Sequence, residues 1–424
     1  MSSIAPLRTN PTASLAVQLL QGANARASGR ASSAMPALFT DDRTSKAVST
    51  IIRILMDAKG NTAVAAQASG ATVSVSTGNG NDALSIDANG AENTNTGDGD
   101  DVIAIRTSGG FTSWAGRILP SVSNIGGGLG NDAISITAHG SAVNIYGGDG
   151  DDTVAITSTQ TGQETSGTPG IDIVSAGGGN DALALSAALD VVRVYGDGGN
   201  DAIAISAGRS VWLVDGGDGN DQIAIAAAGV SHIYGGDGRD TINVAARGVN
   251  QIYAGSGDDI VTVGADLASR VHGEDGNDLL QITASDVSDV DGGDGNDTIV
   301  ITGDKIASVH GGAGDDRIVL NNTGDRAAHV FLVNGEGHDQ IETNGALAIS
   351  RFNPDGTQRL DMTNAKVTQN EDGTLTIGFS DSADTMTVKL TGAMASAKLA
   401  FDVPRDGRAL VIRAADQPVK MPWE

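Results

Sequence analysis

The chain has 424 residues, a formal net charge of −26 at pH 7, 59 glycines and no cysteine, and only 3% of its residues are aromatic. The absence of cysteine excludes disulfide-stapled scaffolds and cysteine-ligated zinc, and the acidity argues against nucleic-acid binding through a basic surface. No apolar run approaches the roughly 18 residues of a membrane-spanning helix, so we expect no transmembrane segment. The remaining class is an acidic, glycine-rich protein with few large side chains for an ordinary globular core.

Residues 1–66 form the N-terminal segment. Residues 1–40 contain no acidic residue and include three arginines, a pattern that superficially suits a transit peptide. We favour a partly helical cap instead, with Ala47–Met56 as an amphipathic helix. Such a cap is expected because the open end of a stack of repeats invites edge-to-edge aggregation.

A sequence repeat dominates residues 67–345. The string glycine–x–glycine–x–aspartate recurs thirteen times, mostly every 19 or 20 residues, and two longer gaps of 31 and 29 residues contain insertions. Self-similarity at a near-constant period is the signature of a repeat architecture. The terminal aspartates of the thirteen copies are Asp82, Asp101, Asp132, Asp152, Asp181, Asp201, Asp221, Asp240, Asp259, Asp278, Asp297, Asp316 and Asp339.

Apolar residues stand at fixed places around each aspartate. The residues two and four positions later are mostly β-branched or leucine, such as Ile223 and Ile225, and another apolar residue, such as Val214, stands seven positions earlier. Alternation with a period of two predicts a short strand with one buried face. The residues seven positions before the aspartates make a third apolar column, which predicts a second strand. One such unit cannot bury its apolar face alone, so the units must stack. We therefore predict an all-β fold, a parallel β-solenoid of about 13 coils.

The glycine turn has the chemistry of a cation site, best seen in Gly216–Asp221. Glycines let the backbone approach a ligand closely, and a tight turn aims several carbonyl oxygens at one point beside the carboxylate. Donor sets made only of oxygen favour Ca²⁺ over Mg²⁺ or zinc. The alternative is that these residues are simply turn formers. Turn chemistry alone would accept Asn or Ser at the sixth position, yet all thirteen copies have Asp.

These turns resemble those of the RTX (repeat-in-toxin) family, whose nonapeptide G-G-x-G-x-D-x-U-x folds into a calcium-bound parallel β-roll. Gly147–Ala155 matches this pattern at every fixed position, and so do Gly216–Ala224, Gly235–Asn243, Gly292–Val300 and Gly311–Val319. The resemblance covers about residues 77–343. It implies that Ca²⁺ is bound by the aspartates and by turn carbonyls of successive coils. The glycines that we assign to these sites are Gly147, Gly216, Gly219, Gly235, Gly238, Gly292, Gly295, Gly311 and Gly314.

The resemblance also implies a cellular context. Proteins of the RTX family are usually exported by type I secretion, so we expect an extracellular or cell-surface location. Thirteen stacked turns leave twelve spaces between them, which sets the expected number of calcium ions at up to about twelve.

The repeat departs from an ordinary RTX roll, which repeats every nine residues and binds metal along both edges. One glycine turn per 19 or so residues implies a single row of sites. The copies that end at Asp82, Asp181, Asp259 and Asp339 lack the first glycine, so we expect weaker binding there. A one-sided 19-residue repeat is similar to the ice-binding segment of a bacterial RTX adhesin. Here the outward turn position is mostly aspartate, as at Asp218, which should not match an ice lattice.

One column beside the turn contains all four tyrosines. We favour a cross-strand stack that covers the edge of the solenoid, because two aspartates interrupt the column. The alternative is an exposed aromatic stripe for contact with carbohydrate or a partner. The column comprises Tyr146, Tyr195, Asp215, Tyr234, Tyr253, His272, Asp291 and His310.

Two insertions lengthen the repeat. Residues 107–124 include Phe111 and Trp114, which predict a small apolar bulge. Residues 157–170 are rich in Thr, Ser and Gly, a composition typical of a mobile loop.

The C-terminal segment, residues 346–424, has a different character. Alternating apolar residues predict strands over Leu375–Phe379, Met386–Leu390 and Leu399–Val403, with turns at Asp372–Gly373 and Asp406–Gly407. We predict a small antiparallel β cap.

The sequence contains no catalytic constellation, since its histidines form no spaced metal pair and no nucleophile elbow is present; we expect no enzyme. The first hypothesis is a calcium-binding extracellular structural or surface protein whose β-roll folds on Ca²⁺ binding, because stacked turns create the sites. The alternatives are a self-assembling surface-layer or filament subunit, and a polysaccharide-active or adhesin accessory protein. Self-association and contact with surface polysaccharide therefore stay open.

Overall fold

The computed structural model describes residues 50–55, 60–108, 111–112, 118–119, 121–160, 169–333, 337–352, 358–380 and 385–421. The chain divides into two compact units, residues 1–230 and 231–424. Each unit is a parallel β-solenoid, and together the described residues form about 14 turns. Helix within these residues is limited to two 3₁₀ segments, Met362–Asn364 and Gly392–Ser396.

The strands of the first unit are β1 Thr50–Leu55, β2 Ala63–Ser76, β3 Ala83–Asp98, β4 Val102–Thr107, β5 Phe111–Thr112, β6 Ile118–Leu119, β7 Val122–Leu129, β8 Ala133–Ala138, β9 Ala142–Asp149, β10 Thr153–Ser158, β11 Ile171–Gly178, β12 Ala182–Ala187, β13 Val191–Gly198, β14 Ala202–Ala207, β15 Ser210–Asp218 and β16 Gln222–Ala226. From β7 onward the strands alternate, each pairing with the next strand but one, whereas β1 to β4 pair consecutively and β5 and β6 pair with each other.

The second unit continues the same alternation and ends in shorter strands. Its strands, of which the first begins at Gly229, are β17 Gly229–Asp237, β18 Thr241–Ala245, β19 Gly248–Ser256, β20 Ile260–Gly264, β21 Leu267–Asp275, β22 Leu279–Thr283, β23 Asp286–Asp294, β24 Thr298–Gly303, β25 Lys305–Ala313, β26 Arg317–Asn322, β27 Ala328–Val333, β28 His338–Thr343, β29 Leu347–Phe352, β30 Ala365–Gln369, β31 Leu375–Phe379, β32 Thr385–Leu390, β33 Leu399–Asp402 and β34 Leu410–Ala414.

Equivalent residues of successive coils stack in register. In the first unit β10 pairs in parallel with β8 on one side and β12 on the other, so that Val154 faces Ile134 and Leu183. The three predicted apolar columns are buried, as Ile134, Ile136 and Ile145 are at most 1% exposed. The sequence prediction of a parallel β-solenoid is therefore confirmed.

The solenoid has one more turn than the repeat count predicts. Gly60, Asn61 and Thr62 form a turn with threonine in place of the aspartate, and the Thr62 N–H donates to Asp82 Oδ1 at 2.6 Å. The following strand pairs residue for residue, with Ala63 facing Ala83. Pattern search missed this turn because it lacks the aspartate that marks the other thirteen.

The predicted amphipathic helix over Ala47–Met56 is wrong where the structure describes it, because Thr50–Leu55 is strand β1. This strand pairs in parallel with Ala71–Ser76 of β2. The first coil offers a row of backbone N–H and C=O groups at its edge, and three isoleucines in the segment favour strand. Edge pairing therefore outweighs a short helical periodicity. Residues 1–49, on which the rest of the predicted cap depends, lie outside the described residues.

The predicted C-terminal strands are present, and they pair antiparallel as predicted. β31 pairs with β30 and β32, and β34 pairs with β33 and β29. β32 also pairs in parallel with β28 of the last coil. This arrangement covers the last coil of the second unit with backbone partners.

The insertions are described only in part. Phe111 pairs antiparallel with Leu119, which makes β5 and β6 a short hairpin. Trp114 and residues 161–168, where we predict an apolar bulge and a loop, lie outside the described residues.

The third glycine of each turn is required by the close approach of the coils. Gly199 has φ +125°, and a Cβ at this position would stand 1.8 Å from the carbonyl oxygen of Gly179 in the preceding coil. Its neighbour Gly198 has no positive φ, and a Cβ there would meet nothing within 4 Å. Two adjacent glycines of one turn thus differ completely in their tolerance of a side chain.

We expect Gly199→Ala to destabilise the fold by at least about 1–3 kcal/mol, because it combines left-handed backbone strain with a backbone clash. Gly198→Ala is the matched control and should change stability by no more than about 0.5 kcal/mol. Thermal unfolding followed by circular dichroism measures both. Equal melting temperatures for the two variants would contradict the steric assignment.

Candidate metal centre

The repeat aspartates form a buried column in each unit. Twelve of the thirteen side chains are at most 3% exposed, and Asp339 in the last copy is 8% exposed. The residues just before them in the turn, such as Asn200, remain exposed. The chain thus places one carboxyl group per coil in the interior, where a charge needs a partner.

Within each unit, one oxygen of the stacked carboxyls has a backbone partner. Oδ1 accepts the N–H of the aspartate in the preceding coil, as between Asp181 N–H and Asp201 Oδ1 at 2.7 Å and between Asp278 N–H and Asp297 Oδ1 at 2.8 Å. The last of these bonds, from Asp316 to Asp339, is longer at 3.3 Å. The sequence did not predict this bond. An Asn side chain carries the same Oδ1 acceptor as Asp, so the aspartate of the motif does not by itself indicate that the bond forms.

The other oxygen is buried without a hydrogen-bond donor. In nine turns Oδ2 accepts no hydrogen bond from any residue that the structure describes. A buried carboxylate oxygen in this state carries a substantial desolvation cost. The nine aspartates are Asp82, Asp101, Asp132, Asp152, Asp181, Asp201, Asp259, Asp278 and Asp297.

This second oxygen converges with a backbone carbonyl of the next coil. Asp201 Oδ2 and the Gly216 carbonyl oxygen lie 2.4 and 2.2 Å from the point where a Cβ of Gly196 would stand. The two oxygens are therefore under about 5 Å apart, a separation that one Ca²⁺ with bonds of 2.3–2.6 Å can bridge. Asp132 and Gly147 repeat the arrangement around Gly127.

The residue five positions before each aspartate decides whether this space is filled. Glycine stands there in four turns of the first unit, at Asp132, Asp152, Asp201 and Asp221, and in four of the second. The four turns of the second unit end at Asp240, Asp278, Asp297 and Asp316.

Threonine or alanine at this position fills the space with its own side chain. Thr96 precedes Asp101, and its hydroxyl donates to the Gly127 carbonyl at 2.9 Å; Thr77 does the same to Thr96. Ala176 and Ala254 place a methyl group there. The first glycine of the motif is thus the one that leaves room beside the carboxylate.

The structure separates the predicted glycines into two roles. The carbonyls of Gly147, Gly216, Gly292 and Gly311 converge with an aspartate oxygen of the preceding coil, and Gly235 leaves the space beside Asp240. By contrast, four others have φ of +123° to +141°, and their place is set by coil stacking. These four are Gly219, Gly238, Gly295 and Gly314.

Burial raises the pKa of nine carboxyls in the column above the ordinary value of 3.8. The pKa of Asp132 rises to about 8, that of Asp201 to about 7 and that of Asp278 to about 6. The backbone N–H bond acts in the opposite direction, and like charges from nearby aspartates add to the rise. A cation at these oxygens would therefore compete with protons near neutral pH.

Side chains alone do not form a metal cluster in the described part of the chain, which contains no group of three or more His, Asp or Glu placed to hold one ion. A cation in the column would rest on one carboxylate oxygen per coil together with backbone carbonyls. Among the other polar groups, burial lowers the pKa of His329 to about 4, so this histidine is neutral. Its Nε2 lies 2.9 Å from Ser350 Oγ.

No protein-family model matches this chain, and no curated protein sequence matches it. Among the described residues, no helix is long and apolar enough to span a membrane.

We expect the calcium-free protein to lose stability as the pH rises from about 4 to about 8. The folded-state pKa of Asp132 and Asp201 lies above 3.8, so the folded state holds more protons than the unfolded state in this window. Their contribution is complete below pH 3.8 and is lost as the pH passes about 7–8. Far-UV circular dichroism in excess chelator at pH 5.5 and pH 8, with a thermal melt wherever β signal remains, tests this.

Asp132→Asn should flatten that pH dependence, since the amide cannot titrate but keeps the Oδ1 acceptor. A chelator-treated wild-type protein that melts higher at pH 8 than at pH 5.5 would show that these carboxyls do not control its stability.

Proposed function

We propose that this chain is a calcium-binding protein whose solenoid is an RTX-type β-roll completed by Ca²⁺ along the aspartate column. The observation that carries the proposal is the buried Oδ2 atom, which has no donor within the described residues in turns such as Asp132 and Asp201 and faces a carbonyl of the next coil. The glycine beside it leaves room for an ion. A divalent cation would neutralise the buried charge and satisfy both oxygens.

The donor chemistry favours Ca²⁺. Asp201 Oδ2 and the Gly216 carbonyl are hard oxygen donors, and zinc prefers nitrogen and sulfur. Mg²⁺ demands near-ideal octahedral geometry and gives up water reluctantly, whereas Ca²⁺ accepts irregular sets of carboxylate and carbonyl oxygens. With Oδ1 held by the backbone, each aspartate offers one oxygen to the ion.

Not every turn is proposed to bind. Within the two units we assign calcium to seven of the eight turns with glycine five positions before the aspartate, all except that of Asp221. We expect the threonine and alanine turns not to bind, because a side chain fills the space there, although Oδ2 of their aspartates also lacks a donor within the described residues. In the Asp101 turn the Thr96 hydroxyl already serves the carbonyl that would otherwise face the ion. This assignment is narrower than the sequence-based count of up to about twelve.

The role that follows is structural. Each proposed site takes its oxygens from two coils, so it exists only when the coils are stacked, and binding is coupled to folding. Extracellular calcium sites work at about 10⁻⁴–10⁻³ M, so a chain of this kind would fold after export, consistent with a secreted or surface location and type I secretion. No residue is assigned a catalytic role.

Far-UV circular dichroism tests the coupling directly. We expect the full-length protein to lose most of its β signal in excess chelator at pH 8 and to regain it in millimolar Ca²⁺, with Mg²⁺ at equal concentration ineffective. A spectrum that is already fully β-rich in excess chelator would remove the basis of the proposal.

Gly196→Ala tests the placement of the sites. The added methyl would stand 2.4 Å from Asp201 Oδ2 and 2.2 Å from the Gly216 carbonyl, and alanine is native at Ala176 and Ala254. We expect a folded protein that binds one Ca²⁺ fewer by calorimetric titration.

Two further variants complete the comparison. Gly198→Ala in the same turn adds a methyl in open space and should keep the wild-type stoichiometry. Thr96→Gly removes the hydroxyl that fills its turn and should add one ion. An unchanged calcium count in Gly196→Ala would show that the ions bind elsewhere.

A further inference from the structure

A groove crosses the face of the first unit beside the glycine turns. It has a volume of about 490 Å³, within the range of about 300–1,000 Å³ that is typical of small-molecule sites. Its floor is Gly126, which faces Asn95 in the preceding coil and Tyr146 in the following coil. A glycine between two larger side chains of one column thus opens the groove.

The two walls are an aromatic ring and an amide. Tyr146 is 44% exposed, so much of its side chain is presented to solvent. Asn95 Nδ2 lies 3.0 Å from the point where a Cβ of Gly126 would stand, so the amide leans over the floor. Its side chain makes no hydrogen bond with any residue that the structure describes, which leaves a donor and an acceptor available.

The rim adds more amide groups. Asn124 Nδ2 donates to Asn93 Oδ1 at 2.9 Å, and Asn144 Nδ2 donates to Asn124 Oδ1 at 2.8 Å. These bonds hold the amides in a row parallel to the groove and fix their orientation. Asn93 and Asn124 both line the groove.

The groove is uncharged in a strongly acidic protein. The lining comprises asparagine, threonine, isoleucine, glycine and Tyr146, without a single Asp, Glu, Lys or Arg, although the chain carries a net charge of −26. An anionic ligand would be repelled by the protein as a whole, and a cation would find no carboxylate here. The chemistry that remains is a neutral ligand with many hydroxyl groups and an apolar face.

We propose that this groove binds a neutral β-1,4-linked oligosaccharide. The electron-rich face of Tyr146 attracts the polarised C–H groups on the flat face of a sugar ring, and the amides of Asn95 and Asn124 pair with ring hydroxyls. Binding uses no oxygen of the aspartate column and requires only that the first unit is folded, although Gly147, whose carbonyl converges with Asp132 Oδ2, also lines the groove.

The spacing of the column fits an extended glycan. Ser175 faces Tyr146 on one side and Tyr195 on the other, so the two tyrosines are two strand steps, or about 10 Å, apart. An extended β-1,4-linked chain presents the same ring face at every second sugar over a comparable distance. Gly126 beside Tyr146 opens the groove, whereas Ser175 and Tyr195 lie next to the groove lining, where the Ser175 hydroxyl donates to Asp197 Oδ2.

The second unit uses the same column differently. Tyr234 stacks on Tyr253 with ring centroids 5.6 Å apart, and Tyr253 contacts His272 edge-on at 5.2 Å. These rings cover one another, which confirms the predicted cross-strand stack in this unit. In the first unit the groove lies where Gly126 adjoins Tyr146.

The test is calorimetric titration of the full-length protein in millimolar Ca²⁺ with cellohexaose, with α-linked maltohexaose and acidic hexagalacturonate as comparison ligands. We expect cellohexaose to bind most tightly. Tyr146→Ala, which removes the aromatic wall, and Gly126→Val, which fills the floor, should each weaken binding by at least about tenfold.

Trp212→Ala is the matched control, because Trp212 is 43% exposed and lies outside the groove; it should bind like the wild type. Circular dichroism confirms that each variant is folded. Three results would overturn the proposal: no binding of cellohexaose, wild-type affinity in the folded Tyr146→Ala variant, or equal or tighter binding of maltohexaose or hexagalacturonate.

Discussion

Within each unit, successive turns are tied together by buried aspartates, whose Oδ1 accepts a backbone N–H of the preceding coil. The bond between Asp181 and Asp201 is typical at 2.7 Å. It holds the glycine turns in register, and the strands that follow inherit that register, so that Ala182 faces Ala202. The tight stacking of the turns in turn requires glycine at positions such as Gly199, where a Cβ would strike the carbonyl of the neighbouring coil.

The same side chain creates the problem that the proposed function solves. A carboxyl buried to serve a backbone N–H leaves its second oxygen in the interior, and burial raises the pKa of Asp201 to about 7. In the folded chain the space beside this oxygen can hold a proton, a hydroxyl group or a cation. The Thr96 hydroxyl occupies this space in one turn, and the glycine turns leave it open. Acid and calcium are therefore expected to act on one column, the proton at low pH and the ion at neutral pH.

Variation between repeats gives the two units distinct surfaces. The column beside the turns is a stack of rings at Tyr234, Tyr253 and His272, and it is an open groove where Gly126 adjoins Tyr146. Neither change disturbs the core, since Ile125 and Ile145 remain fully buried. A solenoid can thus acquire a binding surface by a single small residue in one outward column, while the buried columns keep the fold.

The sequence by itself determined the coil. The period of 19 or 20 residues, the alternating apolar residues and the constant aspartate predict stacked strands with one carboxyl per turn, because these patterns depend only on positions within one repeat. The antiparallel strands near Leu375 and Met386 were predictable as well, because their alternating apolar residues are a local pattern. The turn at Thr62 was not, because it lacks the marker residue.

Only the tertiary structure decided what each residue meets, because the partner belongs to another coil, 19 to 31 residues away. It showed which oxygen of Asp201 is bound to backbone, and that Thr96 fills a space that Gly196 leaves open. The tertiary structure also showed that Thr50–Leu55 is a strand, because the edge of the first coil supplies backbone partners that outweigh a local helical pattern.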